Sequence, residues 1–195
     1  MPTDIEFFFD FGSPTAYLAW TQLDRIAAET GAKVIHRPFL LGGVFKETGN
    51  RSPIMVPTKG KHMMVDLRRW ATHWDVTLEV NPFFPINTLS MMRSACALEG
   101  TEEFPAFQAA IMRAMWNDRK NMNKPEIVAE VLDSAGLDGE AIVAAGTMNR
   151  AKQRLKDVTE EAVKRGAFGA PTFFVGTEMF FGQDRLDFVA AAARQ

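Results

Sequence analysis

The sequence predicts an α/β fold interrupted by a long all-α insertion, on three observations. A short aromatic run near the N-terminus, Ile5-Glu6-Phe7-Phe8-Phe9-Asp10-Phe11, precedes a helical pattern and a second strand-like run. From Leu41 to Arg150 no strand signal of any length occurs. Near the C-terminus two short apolar runs flank Gly176-Thr177, which is how an antiparallel hairpin reads.

The first run is short, apolar and bounded by Gly12, as a buried strand is. Ser13-Pro14 starts a helix on chemical grounds, because Ser caps exposed amides and Pro is tolerated at the first helical position. Ala16, Tyr17, Ala19, Trp20, Leu23, Ile26 and Ala27 continue it at helical spacing until Gly31. Lys33-Val34-Ile35-His36-Arg37, closed by Pro38, reads as a second strand, and the β-α-β opening implies a parallel pair.

Residues 42–57 hold Gly42, Gly43, Gly49, Pro53 and Pro57 and read as a loop with turns. Helical patterns follow at roughly 59–74, 87–99, 103–117, 125–135 and 139–145, one of them announced by an Asn123 cap with Glu126 three residues on. Residues 148–165 form a charged helix ended by Gly166. Pro171–Val175 and Glu178–Phe181 make the hairpin, and a final amphipathic helix starts around Gln183. The order βαβ, helical insertion, α, ββ, α is the thioredoxin topology, with the all-α domain between the second strand and the second α-helix. Residues 1–40 and 152–195 are expected to form the thioredoxin-like unit and 41–151 the insertion.

Composition narrows the function. Of 195 residues, 47% are hydrophobic and 24% charged, which excludes a disordered chain. With 22 basic and 24 acidic residues the formal charge is −2, so a broad basic face is not expected and nucleic acid is not a predicted partner. Cys96 is the only cysteine, which rules out an intrachain disulfide, and its helical setting reads as a small buried hydrophobe. His36, His62 and His73 match no metal spacing; His62 and His73 read as surface residues, and no metal is assigned. The N-terminus lacks a signal-peptide pattern and no apolar run approaches the ~18–20 residues of a membrane span. A soluble, cytoplasmic protein without a membrane partner is the expectation.

Ligands of open α/β sheets gather at strand carboxyl ends and the helix N-termini they feed. Three such places stand out. At Phe11-Gly12-Ser13-Pro14, helix-start amides and a hydroxyl favour a negative charge, although Ser13 could simply cap the helix. Phe168-Gly169-Ala170-Pro171-Thr172 reads equally as a cis-Pro turn or as a trans Pro heading an edge strand. At Gly182-Gln183-Asp184-Arg185, Asp184 either caps a helix or faces a ligand ammonium beside amides that bind a carboxylate.

Together these places carry a resemblance. Phe9 to Ala19, Arg37-Pro38-Phe39-Leu40-Leu41-Gly42-Gly43, Lys46 to Asn50, Gly166 to Thr172 and Phe181 to Leu186 resemble the 2-hydroxychromene-2-carboxylate isomerase family. That family is close to kappa-class glutathione transferases, within the DsbA-like thioredoxin superfamily; Pro57-Thr58-Lys59-Gly60 is similar to the kappa class. The resemblance runs from residue 5 to about 190. It implies bound glutathione as cofactor. Ser13-Pro14-Thr15-Ala16 occupies the positions of a Cys-x-x-Cys pair, so disulfide exchange is impossible there and Ser13 is implied to hold the glutathione thiolate as the catalytic residue. A thiol of pKa ~8.5 is mostly protonated at pH 7, and a hydroxyl donor at a helix start lowers that value.

The resemblance also implies that Ala170, before a cis-Pro171, pairs with the cysteinyl unit, that Gln183 and Asp184 receive the γ-glutamyl end, and that Asn50 and Pro57 complete the glutathione site. The implied reaction is reversible conversion of 2-hydroxychromene-2-carboxylate to trans-o-hydroxybenzylidenepyruvate, in which the thiolate adds to the conjugated system, rotation follows and the thiolate leaves. An aromatic carboxylate substrate needs apolar walls and a cation. Phe39, Phe83, Phe84, Trp70, Trp74, Met91 and Trp116 are candidate walls, Lys46 or Lys59 the charge, and Asn50 and Asn87 further substrate contacts, with Asn87 open to an N-cap role instead. A homodimer is implied. Thr15 departs from the aromatic residue many members carry. A kappa-like transferase or peroxidase acting on electrophiles and a non-catalytic glutathione binder are the alternatives.

Overall fold

The computed structural model describes residues 2–195. Strands β1 (Ile5–Phe9), β2 (Val34–Pro38), β3 (Thr172–Val175) and β4 (Glu178–Phe181) form one sheet in the order β2-β1-β3-β4. β1 pairs parallel with β2, Ile5 opposite Val34, and antiparallel with β3, Ile5 opposite Val175; β3 and β4 are the hairpin. The connection from β1 to β2 holds α1 (Pro14–Trp20) and α2 (Leu23–Thr30). Six helices separate β2 from α9 (Asn149–Lys164): α3 (Leu41–Thr48), α4 (Pro57–His73), α5 (Leu89–Leu98), α6 (Phe104–Trp116), α7 (Pro125–Ser134) and α8 (Gly139–Thr147). The fold closes with α10 (Leu186–Ala193). This is the thioredoxin-like arrangement with an all-helical insertion that the element order predicts.

Strand alternation explains the core, because successive side chains point to opposite faces. Phe7 stacks on Phe9 and on its cross-strand partner Phe173, each at 5.3 Å, and His36 packs edge-on to Phe7 and against Phe104 of α6. On the other face Phe8 meets Phe174, Arg165 at the C-cap of the helix Asn149–Lys164 lies 3.7 Å over the Phe174 ring, and Glu6 bonds both Arg37 and Arg165. Arg37 also pairs with Glu161. Each aromatic pair adds roughly 0.5–1.5 kcal/mol beyond its buried area.

Several expectations are corrected. The single helix expected from Ser13 to Gly31 breaks after Trp20, where the Thr21 hydroxyl donates to the Leu18 carbonyl at 2.7 Å and competes with helix continuation. The expected loop at 42–57 contains α3 and a 3₁₀ turn at Pro53–Met55. Tertiary contacts overcome the glycines there: the Leu41 amide donates to Asp10 Oδ2, the Leu40 amide to Thr159 Oγ1, and a Cβ on Gly43 would lie 3.1 Å from Thr159 of α9. Gly49 ends α3 at φ 71°. Asn123 does not cap α7, whose N-cap is Lys124; its side chain instead accepts from the Asn87 amide. The last helix begins at Leu186, and Gln183–Arg185 form a 3₁₀ turn before it. The Ala170–Pro171 peptide is cis, as the resemblance implies, and so is Phe84–Pro85, which nothing in the sequence announces.

Candidate active site

β1 ends at Phe9, and the next four residues form a turn whose polar groups are almost all engaged. The Gly12 amide donates to Asp10 Oδ1 at 2.8 Å and the Ser13 amide to the Asp10 carbonyl at 3.0 Å. The Phe11 carbonyl accepts from the indole of Trp116 at 2.9 Å, and its amide meets Met92 Sδ at 3.4 Å. Asp10 also accepts from Thr88 Oγ1 at 2.7 Å and from the Leu41 amide, so one buried carboxylate ties this turn to the starts of α3 and α5. Burial pushes its carboxyl pKa up, opposed by the bonds from Thr88, Gly12 and Leu41.

Ser13 is the N-cap of α1: its hydroxyl accepts from the Ala16 amide at 3.1 Å and donates to the Ala170 carbonyl at 3.1 Å. Thr15 Oγ1 donates to the same carbonyl at 3.0 Å and lies 2.9 Å from Ser13 Oγ. These groups form the floor of an open cleft of about 1000 Å³. Gly169, Ala170, Gln183 and Asp184 continue its edge, with the Phe168 and Phe181 rings packed at a tilt, their centroids 4.5 Å apart, beside Gly169. A Cβ on Gly169 would lie 2.7 Å from the Phe181 ring, so a larger residue there would push that ring aside. Gly182, at φ 103°, brings Asp184 Oδ1 over its own Cα, and Asp184 pairs with Arg185 at 3.0 Å. The opposite side comes from Leu41 and Phe45 of α3, residues 49–53, Met55, Val56, and Thr58, Lys59, His62, Met63 and Asp66 on α4, with Phe84 at one end. Asn50 Nδ2 reaches across to the Phe168 carbonyl at 2.7 Å.

The cleft thus collects Ser13, Asn50, Lys59, Ala170, Gln183, Asp184 and Phe84 from the sequence candidates. Pro57, Pro171, Lys46 and Asn87 are not part of its lining, Pro171 being buried behind Ala170. Pro57 starts α4 just outside it, Lys46 sits in the exposed last turn of α3, and Asn87 holds the Leu89 amide at the start of α5. Phe39 and Met91 are fully buried core, and Trp116 supports the Phe11 turn rather than lining the cleft. Trp70 and Trp74 pack on each other at 4.8 Å, and Phe83 is exposed outside the lining. His62, read as a plain surface residue, faces the cleft, as does Arg51. His36 lies in the sheet, where burial lowers its pKa to about 4. Cys96 is buried and burial pushes its thiol up to about 12, so it stays protonated and unreactive.

Asp10, Thr88 and the supporting role of Trp116 are not among the candidates that the sequence offers. Asp10 carried a local signal, since Asp two residues before Gly favours a side-chain turn. The partners from α3, α5 and α6 carried none. Among the described residues no group of three or more His, Cys, Asp or Glu side chains is placed to hold a metal, and no helix is long and apolar enough to cross a membrane.

A thioredoxin-like sheet with an all-helical insertion and a Ser-Pro turn facing a cis-Pro loop defines a class of proteins. The DSBA-like thioredoxin domain matches residues 4–194. A 2-hydroxychromene-2-carboxylate isomerase of Sphingobium xenophagum is 33% identical over 97% of each chain, and glutathione S-transferase kappa 1 of Caenorhabditis elegans is 31% identical over 98% of this chain and 91% of its own. The solved structure of a 2-hydroxychromene-2-carboxylate isomerase superposes with a TM-score of 0.84 at 29% identity, covering 96% of this chain and 93% of the other. The chain belongs to the DSBA-like thioredoxin domain family and, within it, to the group of enzymes that includes these isomerases and the kappa-class transferases.

Proposed function

We propose that this enzyme is a glutathione-dependent isomerase that interconverts 2-hydroxychromene-2-carboxylate and trans-o-hydroxybenzylidenepyruvate or a closely related aromatic catabolite. The observation that carries the reading is the floor of the cleft, where the Ser13 hydroxyl and the Ala170 carbonyl meet at 3.1 Å beside Gln183 and Asp184. The chain's donor set fits glutathione. A hydroxyl suits the sulfur, the Ala170 carbonyl suits a peptide amide, and Asp184 suits the ammonium of the γ-glutamyl end. Bound there, glutathione supplies a thiolate that adds reversibly to the conjugated bond and so permits rotation about it.

The protein's own part is positioning and electrostatics. Ser13 holds negative charge on sulfur at the floor, Asn50 bridges the two sides of the cleft, and Phe45, Phe84 and Met63 offer apolar walls to an aromatic ring. Lys59 and Arg51 on the same side supply cationic partners for a carboxylate, and the His62 imidazole a further hydrogen-bonding group. Substrate enters between the thioredoxin-like part, 1–40 and 152–195, and the helical part, 41–151. The homodimer implied by the resemblance and the cytoplasmic setting expected from the sequence belong to the same proposal.

The kappa-class relative supports a second reading, conjugation of glutathione to electrophiles. One set of assays separates the two: isomerisation of the chromene carboxylate, conjugation of an aryl halide, and glutathione binding by calorimetry. Isomerisation that needs catalytic rather than stoichiometric glutathione supports the first reading; conjugate formation without isomerisation replaces it with the second.

A further inference from the structure

Two hydroxyls, not one, stand at the floor of the cleft. Ser13 Oγ and Thr15 Oγ1 lie 2.9 Å apart and approach the same acceptor, the Ala170 carbonyl, at 3.1 and 3.0 Å. A carbonyl oxygen has two lone pairs, so it can take both protons at once. Ser13 Oγ also accepts from the Ala16 amide, which pins its rotamer and leaves only its proton free to turn. Thr15 has no such tether and is the more open of the two: it is half-buried in the cleft lining, whereas Ser13 is 3% exposed.

We propose that Thr15 is a second hydroxyl donor to the sulfur anion, so that the bound thiolate is held by two O–H groups rather than by Ser13 alone. The inference rests on the glutathione reading above. A peptide ligand whose amide pairs with the Ala170 carbonyl competes with both hydroxyls for that oxygen. Both protons then turn to the next acceptor in reach, the sulfur. Hydrogen bonds to an ionised partner are the stronger kind, so the exchange favours the thiolate over the thiol. The thiol proton passes to water in the open cleft, and both hydroxyls keep their own protons.

The test is an ultraviolet titration of the thiolate in glutathione bound at saturation to the wild type, Thr15→Val and Thr15→Ser. Thr15→Val keeps the shape and removes the hydroxyl. It is expected to lower the ratio of thiolate to thiol at neutral pH by roughly 10- to 100-fold, the worth of one hydrogen bond to a charged group. Thr15→Ser is expected to stay within about twofold of wild type, and S-methylglutathione, which has no thiol to ionise, to bind both variants within about twofold of wild type. A Thr15→Val titration that overlays the wild type overturns the second donor and leaves Ser13 alone. A shift in Thr15→Ser as large as in Thr15→Val also overturns it, since packing would then be the cause. A wild-type protein whose bound glutathione titrates like the free tripeptide defeats the glutathione reading itself, a result distinct from either.

Discussion

The floor of the cleft and its helical side are built on different terms. The turn from Asp10 to Thr15 is tied atom by atom to α3, α5, α6 and the Ala170 loop, through Leu41, Thr88, Met92, Trp116 and Ala170 itself. The stretch facing it, from Gly49 to Lys59, is largely exposed, with Met55 at 69% exposure, and Asn50 joins it across the cleft to the Phe168 carbonyl. Holding charge on one atom demands fixed donors, because their energy is useful only if they need not reorganise. Recognising the remainder of a ligand tolerates adjustment, and segments that move on binding are drawn from the least stable parts of a fold. The difference assigns chemistry to the floor and selectivity to the helical side.

The largest effect should come from removing the knot under the floor. Asp10→Ala leaves the Gly12 and Leu41 amides and the Thr88 hydroxyl without their partner, and a loss of roughly 4 kcal/mol in urea unfolding is expected. A loss below about 1 kcal/mol would mean that the floor is not held as described. Next comes the sheet behind it. His36 is half-buried among Phe7, Phe9 and Phe104 with its Nδ1 buried and unpartnered, and its pKa is lowered from 6.5 to about 4. The unfolded chain binds this proton below about pH 6.5 and the folded protein does not. Stability should therefore be full above that pH and fall by up to roughly 3 kcal/mol as pH drops toward 4. Across this window the melting temperature of the wild type should fall toward low pH more steeply than that of His36→Phe; parallel curves would contradict the assignment.

Smaller effects belong to the edges. Asp184 makes no capping bond and is already paired with Arg185, so Asp184→Asn should weaken glutathione binding by roughly 1 kcal/mol, measured by calorimetry, with an unchanged melting temperature. Normal binding with earlier melting would make Asp184 structural. Asn50→Ala should do least, raising KM a few-fold at nearly constant kcat, which is roughly 0.5–1 kcal/mol for one exposed hydrogen bond. An equal fall in kcat would erase the distinction between the two sides.

The strands, the hairpin and Ser-Pro at the first helix were legible because their signals are local: alternation, turn residues and capping chemistry. What escaped was set by distant partners. α3 forms over Gly42 and Gly43 because Asp10 and Thr159 hold its first amides, and no window of sequence around Leu41 contains them. Trp116 had the composition of a pocket wall, yet its indole is used on the Phe11 carbonyl from 105 residues away. Lys46 lies three residues beyond Gly43 in what reads as a loop, and the helix that forms there carries it outside the cleft lining while Phe45 enters. Thr15, a departure from the family pattern, turned out to share the Ser13 acceptor.

The central claim is that Ser13 holds the sulfur of glutathione during turnover, and Ser13→Ala tests it most directly. Rates of chromene carboxylate isomerisation should be measured for wild type and variant over a range of glutathione concentrations. The variant should lose roughly 10²-fold or more in kcat, as when one donor to a reacting anion is removed, while half-saturation by glutathione shifts only a few-fold. Turnover in the variant equal to wild type, or wild-type turnover that persists without glutathione, would contradict the account.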